Sequence, residues 1–157
     1  MRASPRLAAW ALAVALWVPC GAAVGLEPGH LVAGFARGLA LLETQGPRCL
    51  LIETYFANTA EQRGQGLMFV ESLGEFEGMY FRSAFPVELS MWMKNTLGPL
   101  DMLFIREDGT VGHIARDTPP LSTDRIRSHG EVVGVLELNA GFAWRWRVEP
   151  GTRLWLL

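Results

Sequence analysis

The sequence is poor in cysteine and histidine, and this shortage excludes several kinds of site. It contains two cysteines and three histidines in 157 residues. Two cysteines form at most one disulfide, and neither belongs to a Cys-x-x-Cys pair, so a disulfide scaffold and a thioredoxin-like motif are excluded. A polar segment separates His113 from His129, and no His/Cys/carboxylate spacing is typical of a transition-metal site. We therefore predict no metal and no cofactor.

The sequence also lacks the motifs of familiar enzymes. It has no G-x-S-x-G nucleophile elbow and no phosphate-binding glycine loop. It has no internal repeat, and its strand and helix patterns do not alternate as in βαβ units, which excludes a dinucleotide-binding fold. What remains is an unfamiliar enzyme or a protein without catalytic activity.

The first residues have the pattern of an export signal. Arg2 and Arg6 form a short basic start, and Leu7–Val18 is an apolar run that precedes small residues suited to cleavage. We predict a signal peptide over residues 1–23. The alternative is an uncleaved membrane anchor, since residues 7–26 carry no charge and are long enough to span a bilayer. Both interpretations predict a periplasmic or otherwise exported protein.

Removal of this segment would leave a mildly acidic domain. It takes away Arg2, Arg6 and Cys20, so twelve basic and sixteen acidic residues remain and the formal charge becomes −4. An acidic domain is a poor match for a nucleic-acid surface. We expect a monomer whose partner is a small ligand or an envelope protein. Cys49 would have no disulfide partner, and its apolar surroundings predict burial in a strand.

Short apolar runs separated by turn residues predict a single β-rich domain over residues 48–157. Asp108-Gly109 suits a tight hairpin, and Asn58 or Thr59 can cap a short helix. We predict a mainly β (α+β) fold, either a single antiparallel sandwich or a small partly open barrel, with one or two short helices. The apolar runs are "CLLIETYF", "GMYFRS", "ELSMWMK", "LDMLFI", "TVGHIA" and "EVVGVLEL".

Two segments have weaker patterns. Residues 24–47 form a leader, and Leu31–Glu43 within it predicts a short helix, although each internal glycine costs about 1 kcal/mol relative to alanine. Residues 115–130 form a polar, proline-containing crossing between strands. Such a crossing is either functional or a solvated connector.

Lys94 is the only lysine in a chain with thirteen arginines, and it lies within "MWMKNTLGPLD". If Met91, Trp92 and Met93 bury the amine, it becomes a candidate base or nucleophile. In the alternative, Lys94 lies at a hairpin end, with its stem on Trp92 and its ammonium group in water.

Asp101 interrupts the apolar run "LDMLFI", where a carboxylate needs a hydrogen-bond partner or a counter-ion. One candidate partner is Lys94, across a hairpin whose register the sequence does not define. The other is the set of backbone N–H groups in the "NTLG" turn.

Glu137 and Asn139 share one face of a predicted strand with Val133 and Val135. A face that begins apolar and ends polar is typical of the mouth of a barrel or cleft. If Asp101 reached the same place, the two carboxylates could perform acid–base chemistry or hold a cation. A hydrogen-bonded network that ties the ends of the sheet together explains the same residues equally well.

Several motifs together resemble the domain-of-unknown-function 192 family. The matching stretches are "RGQGLMF", "GMYF", "MWMKNTLGPLDMLFI", "DGTV" and "VLELNAG", spread over Leu50–Leu156. The resemblance implies a mainly antiparallel β fold with one or two short helices, often in exported or membrane-anchored bacterial proteins. It implies no reaction, because the family has no established activity. This chain has Val70 where the family has an arginine, and Arg63 and Arg82 are candidates to replace that charge.

Three functions remain open. The leading hypothesis is an envelope domain that binds a small ligand or protein partner in a cleft lined by methionine and tryptophan. The alternatives are a hydrolase- or lyase-like enzyme that uses Lys94 and Asp101, and a structural accessory domain without a pocket. The candidate residues are the apolar lining Met68, Met79, Met91, Trp92 and Met93, and the polar rim Arg63, Lys94, Asn95, Asp101, Glu137 and Asn139.

Overall fold

Strands dominate the computed structural model, which describes residues 32–46 and 48–157. In chain order the elements are β1 (Ala36–Glu43), β2 (Cys49–Ala57), α1 (Ala60–Gln65), β3 (Glu77–Met91), β4 (Leu100–Ile105), β5 (Val111–Thr118), β6 (Ile126–Asn139), α2 (Phe142–Trp146) and β7 (Arg153–Leu156). The predicted signal peptide or anchor lies outside the described residues. Within the described ranges, no helix has the length and apolar character needed to cross a bilayer.

The strands join one sheet in the order β5-β4-β6-β3-β2-β1-β7. Neighbours are antiparallel except β2 and β3, which are parallel and are connected through α1. The two ends of the sheet meet, because Thr110 bridges Arg153 and the N–H of Val111 donates to the carbonyl of Thr152 at 2.8 Å. The sheet therefore curls into a small, partly open barrel, and the predicted fold class is confirmed.

The alternation of side chains along the strands builds two cores, one on each face of the sheet. The inner core receives residues from every strand of the sheet, among them Leu42, Ile52, Leu103, Leu136 and Leu138. The outer core is covered by the segment that follows α1, and its members include Leu67, Val70, Met79, Met93, Met102, Phe104 and Val135. Because both faces of the central strands are buried, their sequences are nearly continuous apolar runs.

β1 replaces the short helix predicted over Leu31–Glu43, and that prediction is wrong. Ala36–Glu43 pairs with β2 on one side and with β7 on the other, and Leu42 is fully buried. Pairing and burial outweigh a weak helical pattern. Gly38 suits this strand because a Cβ there would lie 2.9 Å from the Phe56 ring. The sheet therefore begins before the predicted domain boundary.

Other elements differ from the predicted apolar runs in length. "GMYFRS" and the first four residues of "ELSMWMK" belong to one long strand, β3, whose pairing with β6 is interrupted by register shifts. The polar crossing predicted over residues 115–130 is shorter, since β5 continues to Thr118 and β6 begins at Ile126. Cys49 lies in β2 as predicted but is exposed, because the alternate residues of that strand face the inner core.

The predicted Asp108-Gly109 turn connects β4 and β5. Gly109 has a φ of 81°, a left-handed conformation that favours glycine, and a Cβ there would lie 3.2 Å from the carbonyl oxygen of Leu154. The Asp108 carboxylate accepts hydrogen bonds from the hydroxyl (2.7 Å) and the N–H (2.9 Å) of Thr110, which lower the pKa of Asp108. The N–H of Leu154 donates to the Gly109 carbonyl at 2.8 Å, so this turn also joins the ends of the sheet.

Gly109→Ala should lower the free energy of unfolding by about 1–2 kcal/mol, because alanine resists the left-handed conformation and its methyl group would crowd Leu154. Urea unfolding followed by tryptophan fluorescence measures the change. Gly98→Ala is the matched control, since a Cβ at Gly98 meets no atom within 4 Å and its backbone is not left-handed. Equal destabilisation in the two variants would contradict the importance assigned to this turn.

Candidate functional site

Glu137 is a carboxylic acid buried in the outer core. It lies on β6 between its cross-strand neighbours Met79 of β3 and Met102 of β4. Its exposed fraction is 4 %, and within the described residues it makes no hydrogen bond and no ion pair. Burial raises the pKa of Glu137 to about 8, because the charged form loses its hydration. At pH 7 the side chain is therefore mostly uncharged and able to donate a hydrogen bond.

A small cavity opens beside this carboxyl group. Its volume is about 20 Å³, which is enough for one water molecule. The walls come from α1 and the residues after it, from β3, and from the segment between β3 and β4. We call this space the Glu137 cavity, and its lining includes Arg63, Met68, Phe81, Trp92, Lys94 and Glu137.

A wider groove of about 670 Å³ adjoins the Glu137 cavity and shares part of its walls. Arg82, Arg125 and the exposed Phe85 belong to the groove alone. No acidic side chain lines it within the described part of the chain. We call it the arginine groove, and the walls that it shares with the cavity are Arg63, Gly64, Phe81, Met91 and Trp92.

Positive charges gather around Trp92. The Arg125 guanidinium carbon lies 4.9 Å, and the Lys94 Nζ 5.5 Å, from the centroid of the Trp92 ring. Both distances are within the range of a cation–π contact. Lys94 is exposed, so its ammonium group meets water while it lies over the ring. This matches the alternative in which Lys94 rests on Trp92, and it does not match a buried, activated amine.

The capping of α1 positions Arg63. Thr59 Oγ1 accepts a hydrogen bond from the N–H of Gln62 at 3.2 Å, and Gln62 Oε1 accepts one from the N–H of Thr59 at 3.1 Å. This reciprocal capping box begins the helix, and Gly66, with a φ of 50°, ends it. Arg63 Nη1 donates to the Asn58 carbonyl at 2.8 Å. Arg63 is thus held by a neutral backbone partner and forms no ion pair among the described residues, although its charge is one of the causes that lower the pKa of Glu61.

Asp101 lies on the other face of the sheet. It is opposite Leu138 of β6 and is fully buried. Its Oδ1 accepts a hydrogen bond from the N–H of Asp117 at 2.9 Å, and its Oδ2 accepts one from the N–H of Ala143 at 2.8 Å. Asp101 does accept backbone N–H bonds, but the donors lie on β5 and α2 rather than in the "NTLG" turn.

The predicted encounter of Asp101 with Lys94 or Glu137 is wrong. β6 lies between β3 and β4, so the two strands that flank the "NTLG" turn do not form a hairpin. Glu137 precedes Leu138, the neighbour of Asp101, and consecutive residues of a strand point to opposite faces. The two carboxyl groups therefore belong to different cores. Alternation within a strand does not reveal which strands are neighbours, and this is why the prediction failed.

Three of the other predicted residues, Met79, Met93 and Asn95, do not line the cavity. Met79 and Met93 are fully buried and fill the outer core. Asn95 has a φ of 57°, and its Nδ2 lies 3.7 Å from Met68 Sδ. The predicted methionine lining is therefore divided: Met68 and Met91 line the cavity, whereas Met79 and Met93 lie inside the packed layer.

Asn139 connects the end of β6 to the loop before β3 through hydrogen bonds. Its Nδ2 donates to the carbonyls of Leu73 at 3.1 Å and Gly74 at 3.0 Å. This role agrees with the network alternative considered for the polar end of β6. Asn139 does not line the Glu137 cavity.

Arg125 and Phe85 are groove residues that the sequence analysis did not identify. Arg125 lies just before β6 in the predicted polar crossing, and Phe85 lies in the irregular middle of β3. Arg82 was considered only as a substitute for the charge missing at Val70, which is buried in the outer core. No local signal distinguishes these residues, because what they share is a groove formed by distant segments.

His113 and His129, which the polar crossing separates along the chain, are in contact in the structure. Their ring centroids lie 4.7 Å apart, and His113 also stacks on Phe104 at 5.7 Å. The pKa of His113 is lowered mainly by its partial burial. Electrostatic interactions with His129 and Arg116 lower this pKa further. Among the residues that the structure describes, no three His, Cys, Asp or Glu side chains are grouped so as to hold a metal ion.

Comparison with known proteins identifies the family. A model of the domain-of-unknown-function 192 family (DUF192), described as "Uncharacterized ACR", matches residues 41–156. The chain belongs to this family. The resemblance seen in the motifs is thereby confirmed. No curated protein matches the chain.

Two solved structures are similar to this DUF192 chain. A "putative transcription regulator" from Sinorhizobium meliloti 1021 is 40% identical with a TM-score of 0.76, covering 78% of this chain and 95% of that one. A protein of unknown function from Novosphingobium aromaticivorans DSM 12444 is 31% identical with a TM-score of 0.76, covering 79% and 88%. Both support the fold, and neither supplies a reaction.

Asp101→Ala should lower the free energy of unfolding of the DUF192 chain by about 3 kcal/mol, because the buried N–H of Ala143 and the partly buried N–H of Asp117 lose their acceptor. Chemical unfolding at neutral pH measures the loss. Asp124→Ala removes an exposed aspartate and should change the free energy by less than about 0.5 kcal/mol. Similar values for the two variants would contradict the structural role of Asp101.

The free energy of unfolding should fall as pH rises from about 4.5 to about 8, because the folded protein holds the Glu137 proton more tightly than the unfolded chain does. The full shift corresponds to roughly 5 kcal/mol. Glu137→Gln should lack this part of the pH dependence, whereas the exposed control Glu131→Gln on the same strand should retain it. Urea unfolding across this pH range tests the difference, and identical slopes in the three proteins would contradict it.

Proposed function

We propose that this chain binds a small organic anion in the arginine groove. The observation that supports this proposal best is that Arg63, Arg82 and Arg125 line one concave surface without any acidic side chain among the described residues. The whole chain has a formal charge of −2, so the positive charge of the groove is a local feature that differs from the overall charge of the chain. Like charges held together repel each other, and an anion placed between them relieves that repulsion.

Some arginines outside the groove have acidic partners, whereas others, such as Arg37 and Arg147, form no ion pair in the described residues. Arg127 pairs with Glu88 at 3.4 Å, and Arg145 pairs with Glu75 at 2.9 Å. In the described residues the groove arginines form no such ion pair. Guanidinium groups bind carboxylate, sulfonate and phosphate oxygens through paired hydrogen bonds, so three unpaired ones form a suitable anion site.

The size and the aromatic walls of the groove indicate an organic ligand. A volume of about 670 Å³ lies within the usual range for small-molecule sites. Trp92 and Phe85 are 37 % and 67 % exposed and offer apolar surface to a ring or chain. We further propose that binding takes place outside the cytoplasm, by a monomer, because residues 1–23 have the pattern of a signal peptide or anchor.

The description of one structural neighbour as a regulator suggests nucleic acid as another ligand. The acidic formal charge of this chain and the small, concave groove favour a small molecule instead. A duplex oligonucleotide therefore serves as a negative control in the binding experiment.

A pair of fluorescent probes tests the proposal. 8-Anilinonaphthalene-1-sulfonate and N-phenyl-1-naphthylamine share an aromatic skeleton, and only the first carries an anionic group. The sulfonate should bind in a saturable manner and at least about tenfold more tightly, because only it can form charge-assisted hydrogen bonds with arginine. Arg82→Gln and Arg125→Gln should each weaken sulfonate binding about tenfold and leave the neutral probe unaffected.

Arg145→Gln is the matched control, since it removes the same charge from an exposed site outside the groove. It should leave the affinity for both probes unchanged. Equal affinities for the two probes, or equal effects of the three arginine variants, would contradict an anion site in the groove.

A further inference from the structure

Glu137 is a group that an anion site by itself does not explain. A charged carboxylate in the Glu137 cavity, which shares walls with the arginine groove, would repel an anionic ligand in that groove. Yet the side chain lies there, 4 % exposed and without a partner among the described residues. Buried polar groups normally find hydrogen-bond partners. Glu137 is not among the fully enclosed polar atoms that lack a partner, so its carboxyl group reaches the cavity, where a water or a ligand oxygen can meet it.

We infer that Glu137 is an uncharged hydrogen-bond donor to an oxygen of the ligand, which enters the Glu137 cavity from the arginine groove. The inference rests on the proposed function and narrows the ligand class to organic anions with a carbonyl oxygen beside the anionic group. The cavity, at about 20 Å³, admits one oxygen-sized group in place of a water. Arg63 lines both the cavity and the groove. A ligand whose carbonyl oxygen lies in the cavity and whose anionic group contacts Arg63 therefore carries these two groups close together.

The surroundings of Glu137 support this role. Met79 and Met102, its neighbours on β3 and β4, offer no strong hydrogen-bonding group. Arg63 from α1 and Lys94 from the β3–β4 segment are the charged residues that line the cavity, and neither forms an ion pair with Glu137. Asp101 points to the opposite core. Burial raises the pKa of Glu137 to about 8, so the proton needed for donation is present at neutral pH.

Phenylglyoxylate and phenylacetate form a matched pair of probes, because they differ only in the group between the ring and the carboxylate. This group is a carbonyl in phenylglyoxylate and a methylene in phenylacetate. The wild-type protein should bind phenylglyoxylate about tenfold more tightly at pH 7, since one additional hydrogen bond forms in a buried site. At about pH 9.5 this preference should disappear, because ionised Glu137 no longer donates. Calorimetry at both pH values measures the two affinities.

Three variants separate the role of Glu137 from general effects of pH. Glu137→Gln retains an N–H donor, so its preference for phenylglyoxylate should persist at both pH values. Glu137→Ala has no donor and should show no preference at either pH. Glu131→Gln should behave as the wild type does. The infrared spectrum supplies a readout without ligand: the carbonyl band of a protonated carboxylic acid at pH 7 should be weaker in Glu137→Gln.

The outcomes distinguish the inference from the proposed function. If the two anions bind equally well and binding still depends on Arg82 and Arg125, the inference is wrong and the anion site remains. A preference that survives in Glu137→Ala, or in the wild type at about pH 9.5, also overturns the inference. If neither anion binds and the naphthalene sulfonate does not bind either, the proposed function is wrong and the inference fails with it.

Discussion

The position of β6 between β3 and β4 is the constraint on which the rest of the molecule depends. Consecutive residues of β6 face different cores, so Leu136 and Leu138 pack inside the curled sheet while Glu137 points to the outer layer. Because that outer layer is itself covered, a carboxyl group directed towards it is buried rather than solvated. The same pairing sends Asp101 to the inner core, where two backbone N–H groups satisfy it. Two acidic residues on adjacent strands thus have opposite surroundings.

The arginine groove is built from segments that the sheet holds in place. Arg63 comes from a capped helix, Arg82 from the middle of β3, and Arg125 from the residue before β6. A rigid scaffold that presents residues from loops and strand ends is a common way to build a binding site. Exposed ion pairs such as Arg145–Glu75 contribute little to stability, about 0–1 kcal/mol. The groove arginines form no ion pair among the described residues, so ion pairing does not explain their positions.

The structure agrees with the three functional hypotheses to different degrees. An enzyme that uses Lys94 with Asp101 has no geometric basis, because β6 separates their strands and Asp101 faces the inner core. The hypothesis of a purely structural domain agrees with the packing of Met79 and Met93. It does not account for the Glu137 cavity or the arginine groove. Membership of DUF192 establishes the fold and supplies no reaction, so function has to be argued from the site itself.

The sequence by itself determined the features that depend on neighbouring residues. These are the β-rich class, the Asp108-Gly109 turn, a helix cap at Asn58 or Thr59, and the requirement that Asp101 have a hydrogen-bond partner or counter-ion. The family motifs were also sufficient to place the chain in DUF192. Tertiary structure alone decided that residues 36–43 form a strand, that Asp101 and Glu137 face different cores, and that Arg125 joins the site. The physical reason is that turns, caps and alternation are local, whereas the order of strands in a sheet depends on pairing between distant segments, which two-residue periodicity does not encode.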